Sequence, residues 1–107
     1  MSTKINWGII GLGGIAHKFA TDLLLVENCT LEAVASRDLE KAEVFSKQYH
    51  SNNFYGSYEE LLQNKLVTIV YIATPNNYHE RYTILALEHK KAVLCEKPFA
   101  INKKTGF

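Results

Sequence analysis

Little in this sequence repeats or accumulates. Its 107 residues hold two cysteines, Cys29 and Cys95, whose spacing fits no metal or redox motif. With no secretion signal ahead of them they read as reduced thiols, small half-buried hydrophobes of a cytoplasmic protein. His17, His50 and His89 stand in no metal-binding or triad spacing, so no metal is expected. Charge of one sign is also scarce, with twelve Lys and Arg against eleven Asp and Glu. That balance gives no electrostatic case for nucleic acid or for a membrane surface. Long apolar runs are missing: the stretch from Ile69 to Ala73 is strand-sized, far from the roughly 20 residues that cross a bilayer. Residues 2–6 lead straight into an apolar run, so no signal peptide is expected.

What is present is an alternation of short apolar runs and amphipathic stretches. Ile5 to Ile10 is an apolar run ending at Gly11, as for a strand buried on both faces. The helix after it carries Ile15, Ala16, Phe19, Ala20, Leu23 and Leu24 at i, i+3, i+4 spacing, an inner stripe facing a sheet. Leu31 to Ala35 is the second strand. Asp38 caps a second helix with Leu39, Ala42, Phe45 and Tyr49 inward. Asn53 to Gly56 is a short third strand, and Ser57 with Glu60 makes a capping box before Leu61 and Leu62. Val67 to Ala73, rich in β-branched residues, is the fourth strand. A helix from Tyr78 to His89 turns Tyr82, Leu85 and Ala86 to one side, and Ala92 to Cys95 is the fifth strand.

Strands alternating with helices across short links imply βαβ units and one α/β domain, residues 1–107, around a parallel sheet. Right-handed crossovers lead to a Rossmann doubly wound sheet of order 3-2-1-4-5. Residues 11–14 and 74–77 then flank its switch point, at the carboxyl ends of strands 1 and 4, where such sheets bind ligands. Cys29 and Cys95 lie at opposite ends of that sheet, beyond the Cα separation of about 7 Å that a disulfide tolerates.

Gly11, Gly13 and Ala16 occupy the small-residue positions of G-x-G-x-x-G/A. Gly11 permits the sharp turn, Gly13 admits a pyrophosphate to the backbone, and Ala16 lets the helix close on the strand. Leu12, Gly14 and Ile15 complete the loop, and the helix start offers N–H groups and a positive dipole end to phosphate. A ribose-reading residue is expected about 20 positions further on, at the end of strand 2. Ser36 and Arg37 stand there, a hydroxyl and a planar cation suited to phosphate and to stacking on adenine. They favour NADP over NAD, although Asp38 is near enough to act on the ribose instead.

Two further segments, residues 74–79 (Thr-Pro-Asn-Asn-Tyr-His) and residues 95–98 (Cys-Glu-Lys-Pro), follow strands 4 and 5. Together with the glycine turn, Ser36-Arg37 and the Tyr-Glu-Glu-Leu-Leu run at 58–62, they carry a resemblance over essentially the whole chain. The sequence resembles the N-terminal domain of the glucose–fructose oxidoreductase/inositol dehydrogenase (Gfo/Idh/MocA) family, and within it the NADP-dependent dihydrodiol and xylose dehydrogenase-like branch. The resemblance implies that Thr74, Pro75 and Asn76 flank the nicotinamide and its ribose, with His79 nearby and Glu96 on the ribose side. It makes Lys97 the catalytic lysine, hydrogen-bonded to a sugar, polyol or diol hydroxyl as hydride passes to the nicotinamide. An ammonium partly desolvated beside a cationic ring titrates low, which suits acid–base work.

One departure from the family is Lys90, where a glycine usually ends the helix before strand 5. Keeping the left-handed turn there costs a non-glycine residue roughly 1 kcal/mol. Another departure is length. A helix capped by Asn102 is barely begun at Phe107, and the family's second α/β domain, which holds the substrate pocket, is absent from this chain. The chain is therefore expected to be a fragment of an NAD(P)-dependent dehydrogenase that binds cofactor without turnover and exposes an apolar face that favours self-association, as in a homo-oligomer. The alternative is a stand-alone dinucleotide-binding or sensor module without catalysis.

Overall fold

The computed structural model describes residues 5–74 and 76–95, and side chains outside 76–79 and 95 within them. Nine elements follow one another: β1 (Ile5–Ile10), α1 (Gly14–Leu23), β2 (Cys29–Ala35), α2 (Leu39–Tyr49), β3 (Asn53–Tyr55), α3 (Tyr58–Leu62), β4 (Ile69–Ile72), α4 (Asn76–Glu88) and β5 (Ala92–Cys95). All pairings are parallel and the order is β3-β2-β1-β4-β5. This is the doubly wound sheet that the alternation of elements implies.

The core lies on both faces of the sheet because β1 and β4 are buried on both. On one face Ala16, Ala20 and Leu23 of α1 and Ala42, Phe45 and Tyr49 of α2 pack on Ile9, Val34 and Tyr71. On the other, Leu61 and Leu62 of α3 and Tyr82 and Ala86 of α4 pack on Ile10, Ala35, Val70 and Ile72. In β2, the register with β1 shifts between Trp7 and Gly8, so that Glu32 is an extra residue. That bulge lets Leu31 and Val34, three apart, reach the same face. The buried Glu32 carboxylate takes Nδ2 donors from Asn52 at 3.0 Å and Asn53 at 2.8 Å.

Several expected boundaries and faces move. Strand β2 starts at Cys29, so the cysteine opens the strand instead of preceding it. Cys29 is free, and β5 lies three strand spacings from β2, about 14 Å across the sheet. Strand β3 ends at Tyr55 and β4 is trimmed to four residues at Ile69–Ile72. Helix α4 begins at Asn76, two residues before the expected start. Ile15, Leu24 and Leu39, assigned to inner faces by their spacing, are 43%, 51% and 54% exposed. Each sits at a helix end, where the stripe has already rotated past the sheet or the chain is leaving it.

Helix ends are closed as the local chemistry requires. Asp38 Oδ1 accepts from the N–H groups of Glu40 (3.1 Å) and Lys41 (3.5 Å), and Ser57 Oγ accepts from Glu60 N–H at 3.2 Å. Lys90 holds φ = 64° after α4, the left-handed turn expected in place of glycine, and Lys91 N–H closes it on the Ala86 carbonyl at 3.0 Å. The stretch after β5, with its expected Asn102 cap, lies outside the described residues.

Candidate dinucleotide site

The carboxyl edge of the sheet opens into a cleft of about 640 Å³. Its middle is the turn from β1 to α1. Gly11 takes φ = +88°, and a Cβ there would stand 3.0 Å from Thr74 Cγ2 and 3.1 Å from the Ala73 carbonyl carbon. The two loops of the switch point are thus in contact, and only glycine fits between them. Gly11 N–H is tied to the Ala35 carbonyl at 3.1 Å, which fixes the turn against β2.

Gly13 and Gly14 are different. Among the described residues a Cβ on either would meet nothing within 4 Å, so no packing between them requires glycine there. The space they leave open is the cleft itself. Gly13 is the N-cap of α1, without a side-chain cap, and no acidic residue stands in the first turn. Ala16 N–H is bonded to the Gly13 carbonyl at 3.1 Å, so it is the N–H groups of Gly14 and Ile15 that have no carbonyl behind them in the helix, at its positive dipole end. Ile15 borders the cleft, and Leu12 lies beneath it at 4% exposure. Ala16 is fully buried under the turn against the core, where its small side chain serves packing.

One end of the cleft is built from the β2–α2 link. Ser36 is buried, its N–H is bonded to the Tyr55 carbonyl at 3.2 Å, and its Oγ accepts from Asp38 N–H at 3.1 Å. Its own hydroxyl proton remains to be donated. Arg37, Asp38 and Lys41 also border this end. Tyr58, the first residue of α3, closes it. Burial raises the Tyr58 hydroxyl above its ordinary pKa of 10.0, and the positive charge of Arg37 pulls in the opposite direction.

Toward the other end, Ala73 and Thr74 form the floor. Thr74 is 5% exposed and its buried Oγ1 has no hydrogen-bond partner among the described residues. A buried hydroxyl left unpaired is costly, and this one stands at the wall of an open site. Asn76 and His79 fall in the first turn of α4; Pro75, Glu96 and Lys97 lie outside the described residues. Among the described residues no cluster of His, Cys, Asp or Glu could hold a metal ion, and no helix is long and apolar enough to cross a membrane.

Besides Ala73, which sequence reasoning placed only at the end of the fourth strand, Lys41 and Tyr58 are the cleft residues that it did not single out as site residues. Both occupy first turns of helices that start at the carboxyl edge, Lys41 three places after the Asp38 cap and Tyr58 directly after Ser57. The capping signals already marked those helix starts, and in a parallel α/β sheet such starts border the site.

Phosphate and ribose chemistry suits this edge. Open backbone at Gly13 and Gly14, an uncapped helix start, two cations at one end and an unpaired hydroxyl in the floor provide donors and positive charge in a continuous row. The family model described as "Oxidoreductase family, NAD-binding Rossmann fold" (Gfo/Idh/MocA) matches residues 5–106. The chain is 42% identical over 100 residues to the trans-1,2-dihydrobenzene-1,2-diol dehydrogenase of Mus musculus, covering 92% of this chain and 30% of that protein. It therefore spans about 30% of the length of the curated relatives it matches. Among solved structures, KijD10, a 3-ketoreductase from Actinomadura kijaniata in complex with NADP and TDP-benzene, superposes with a TM-score of 0.85 at 30% identity, over 90% of this chain and 30% of that one. The scyllo-inositol dehydrogenase of Lactobacillus casei, with bound NAD(H) and scyllo-inositol, has a TM-score of 0.82 at 24% identity over 94% of this chain and 30% of that one, and shows the shared fold alone.

Proposed function

The chain belongs to the Gfo/Idh/MocA oxidoreductase family, and from that premise we propose that it is the cofactor-binding part of a dehydrogenase acting on a hydroxyl of a sugar, polyol or diol, with NADP preferred to NAD. The open space at Gly13 and Gly14 is the observation that carries the reading. Two glycines that packing does not need leave backbone bare at the start of an uncapped helix, where a pyrophosphate would lie.

On this reading, Gly11 sets the turn, Leu12 and Ala16 support it from below, and Gly13, Gly14 and Ile15 meet the phosphates. Ser36 and Arg37 bind the far ribose and its 2′-phosphate, with Lys41 adding a second positive charge. Asp38 argues for NADP by what it is already doing. Its Oδ1 holds the first turn of α2, so that oxygen is committed to the helix instead of a ribose hydroxyl. Thr74, Pro75, Asn76, His79 and Glu96 orient the nicotinamide end, and the proton released by the substrate hydroxyl passes to Lys97 Nζ. The bound dinucleotide supplies the hydride chemistry.

The substrate pocket is assigned to a second domain, so the 107 residues by themselves bind cofactor and do not turn over. Assembly into a homo-oligomer fits the exposed Ile84 and Leu87 of α4 and Leu94 of β5. A cytoplasmic location fits the free Cys29.

The test is fluorescence titration of the purified chain with NADPH and NADH. NADPH is expected to bind more tightly, and Arg37→Ala to weaken it by about tenfold or more while moving NADH less than about twofold, the scale of a lost charge-assisted contact. Tighter NADH binding that Arg37→Ala leaves alone overturns the NADP preference, and failure of both cofactors to bind overturns the cofactor site.

A further inference from the structure

We propose that His17 is a positioning residue for the dinucleotide: its imidazole, hydrogen-bonded to Tyr49, ties the start of α1 to α2 and so sets where the leading N–H groups of Gly14 and Ile15 stand. The inference rests on the pyrophosphate role given to that turn above, and not on the preference for NADP.

The need arises from how α1 is held. Its start has no side-chain cap, and the buried residues that seat it on the sheet are Ala16, Ala20 and Leu23. Two of these are alanines, which bury little surface. Helices α2 and α3 fix their own first turns through Asp38 and Ser57. In α1 the side chain that reaches a neighbouring helix is on the fourth residue.

His17 is bonded at both ends of its backbone. Its N–H donates to the Gly13 carbonyl at 3.3 Å, beside the bond from Ala16 N–H, and its own carbonyl accepts from Thr21 Oγ1 at 2.9 Å. The first of these bonds reaches the glycine turn directly. The side chain reaches the other way, toward α2. Nδ1 lies 2.8 Å from the Tyr49 hydroxyl, and the ring stands 4.6 Å from that of Phe45 and 5.4 Å from that of Tyr49. Gln48 Nε2 donates to the same Tyr49 oxygen at 3.3 Å, which leaves the phenol proton for Nδ1 and makes the histidine the acceptor.

The anchor is firm, since Phe45 and Tyr49 are both buried in the core. The helix that carries them starts with Asp38 and Lys41 at the adenosine end of the cleft. One side chain therefore references the phosphate turn to the helix that borders the far ribose. A dinucleotide bridges those two places, and a turn already held at the right separation loses less freedom on binding.

The experiment is NADPH and NADH titration of the chain carrying His17→Phe, His17→Asn, Tyr49→Phe or both phenylalanines, with thermal unfolding of each. His17→Phe keeps a ring against Phe45 and loses the acceptor. His17→Asn loses the ring and keeps an acceptor at the δ position. Affinity for both cofactors is expected to fall about three- to tenfold in His17→Phe and in Tyr49→Phe, as for one hydrogen bond, and no further in the double variant. His17→Asn is expected to melt lower than His17→Phe and yet to bind within about twofold of wild type. Binding that follows the acceptor while stability follows the ring is the mark of positioning. Binding that follows melting temperature, weakest in His17→Asn, overturns the inference, as does a loss confined to NADPH or a double variant markedly weaker than either single one. Unchanged affinity in every variant overturns it too and leaves the cofactor site standing, whereas a wild-type chain that binds neither cofactor removes both.

Discussion

At the amino edge of the sheet, Lys91 is 7% exposed and its Nζ donates to the carbonyls of Asn64 at 2.7 Å and Val67 at 2.8 Å. Glu32 is gripped by Asn52 and Asn53, and helices α2 and α4 end there in left-handed turns at His50 and Lys90. At the carboxyl edge, 20 Å or so of strand and loop away, Thr74 Oγ1 is buried without a partner and α1 starts without a cap. The fold is the same and the chain equally short on both sides. Trp7 Nε1, in the amino half of β1, is also buried without a partner among the described residues, so the difference lies in the surroundings: the polar groups just named at the amino edge are held by neighbours, while those at the carboxyl edge border an open cleft. Helices α2 and α3 also begin at the carboxyl edge and are side-chain capped, so the missing cap on α1 is particular to that helix and not to the edge.

The largest expected effect separates the two glycines of the open turn. Gly11→Ala puts a side chain at φ = +88° against Thr74 and the Ala73 backbone, and is expected to cost about 2–4 kcal/mol of stability by denaturant titration. Loss of less than about 1 kcal/mol would mean that the turn relaxes and that Gly11 is not structural. Gly13→Ser is the opposite experiment. Gly13 has φ = −85°, a conformation open to any residue, and serine can cap α1, so stability is expected to rise by a few tenths of a kcal/mol. The same side chain occupies the open space, and cofactor affinity is expected to fall about tenfold. A variant both stable and fully competent to bind would break the claim that this space belongs to the ligand.

Much of this contrast can be read from residues alone. The switch-point order, the Gly11 turn and the Asp38 and Ser57 caps follow from residue patterns with a physical cause, the left-handed Lys90 follows from the family resemblance, and the structure carries each. The misreadings share a cause of their own. Spacing alone put Ile15, Leu24 and Leu39 inside, because periodicity describes a helix and not where the sheet beneath it stops. The bulge at Glu32 was invisible, since an extra residue in one strand is defined only by its partner. Tyr58 stands within the 58–62 run, but only the pairing of β2 with β3 brings it to the cleft that Arg37 also borders. Local chemistry writes the turns and caps, while pairing between distant segments writes the corner of the site.

The smallest expected effect tests the closed edge. Lys91→Met removes two N–H···O contacts, worth about 1 kcal/mol each, together with the cost of burying an ammonium, so stability at pH 7 is expected to shift little. The pH dependence is more revealing. Burial lowers the Lys91 pKa below its ordinary 10.5, so between the two values the unfolded chain holds a proton that the folded one has released. Folding stability from this group therefore rises with pH through that window, is complete above 10.5, and is lost as pH falls through the folded value. Tyr58, raised above 10.0 by burial, has the opposite slope near the top of the range, but it is common to both proteins and cancels in their difference. Denaturant titrations from pH 7 to 10.5 are expected to show the wild-type chain gaining on Lys91→Met as pH rises. Parallel curves would show that the Lys91 ammonium is as well solvated as any surface lysine, and the amino edge would then be less closed than its hydrogen bonds indicate.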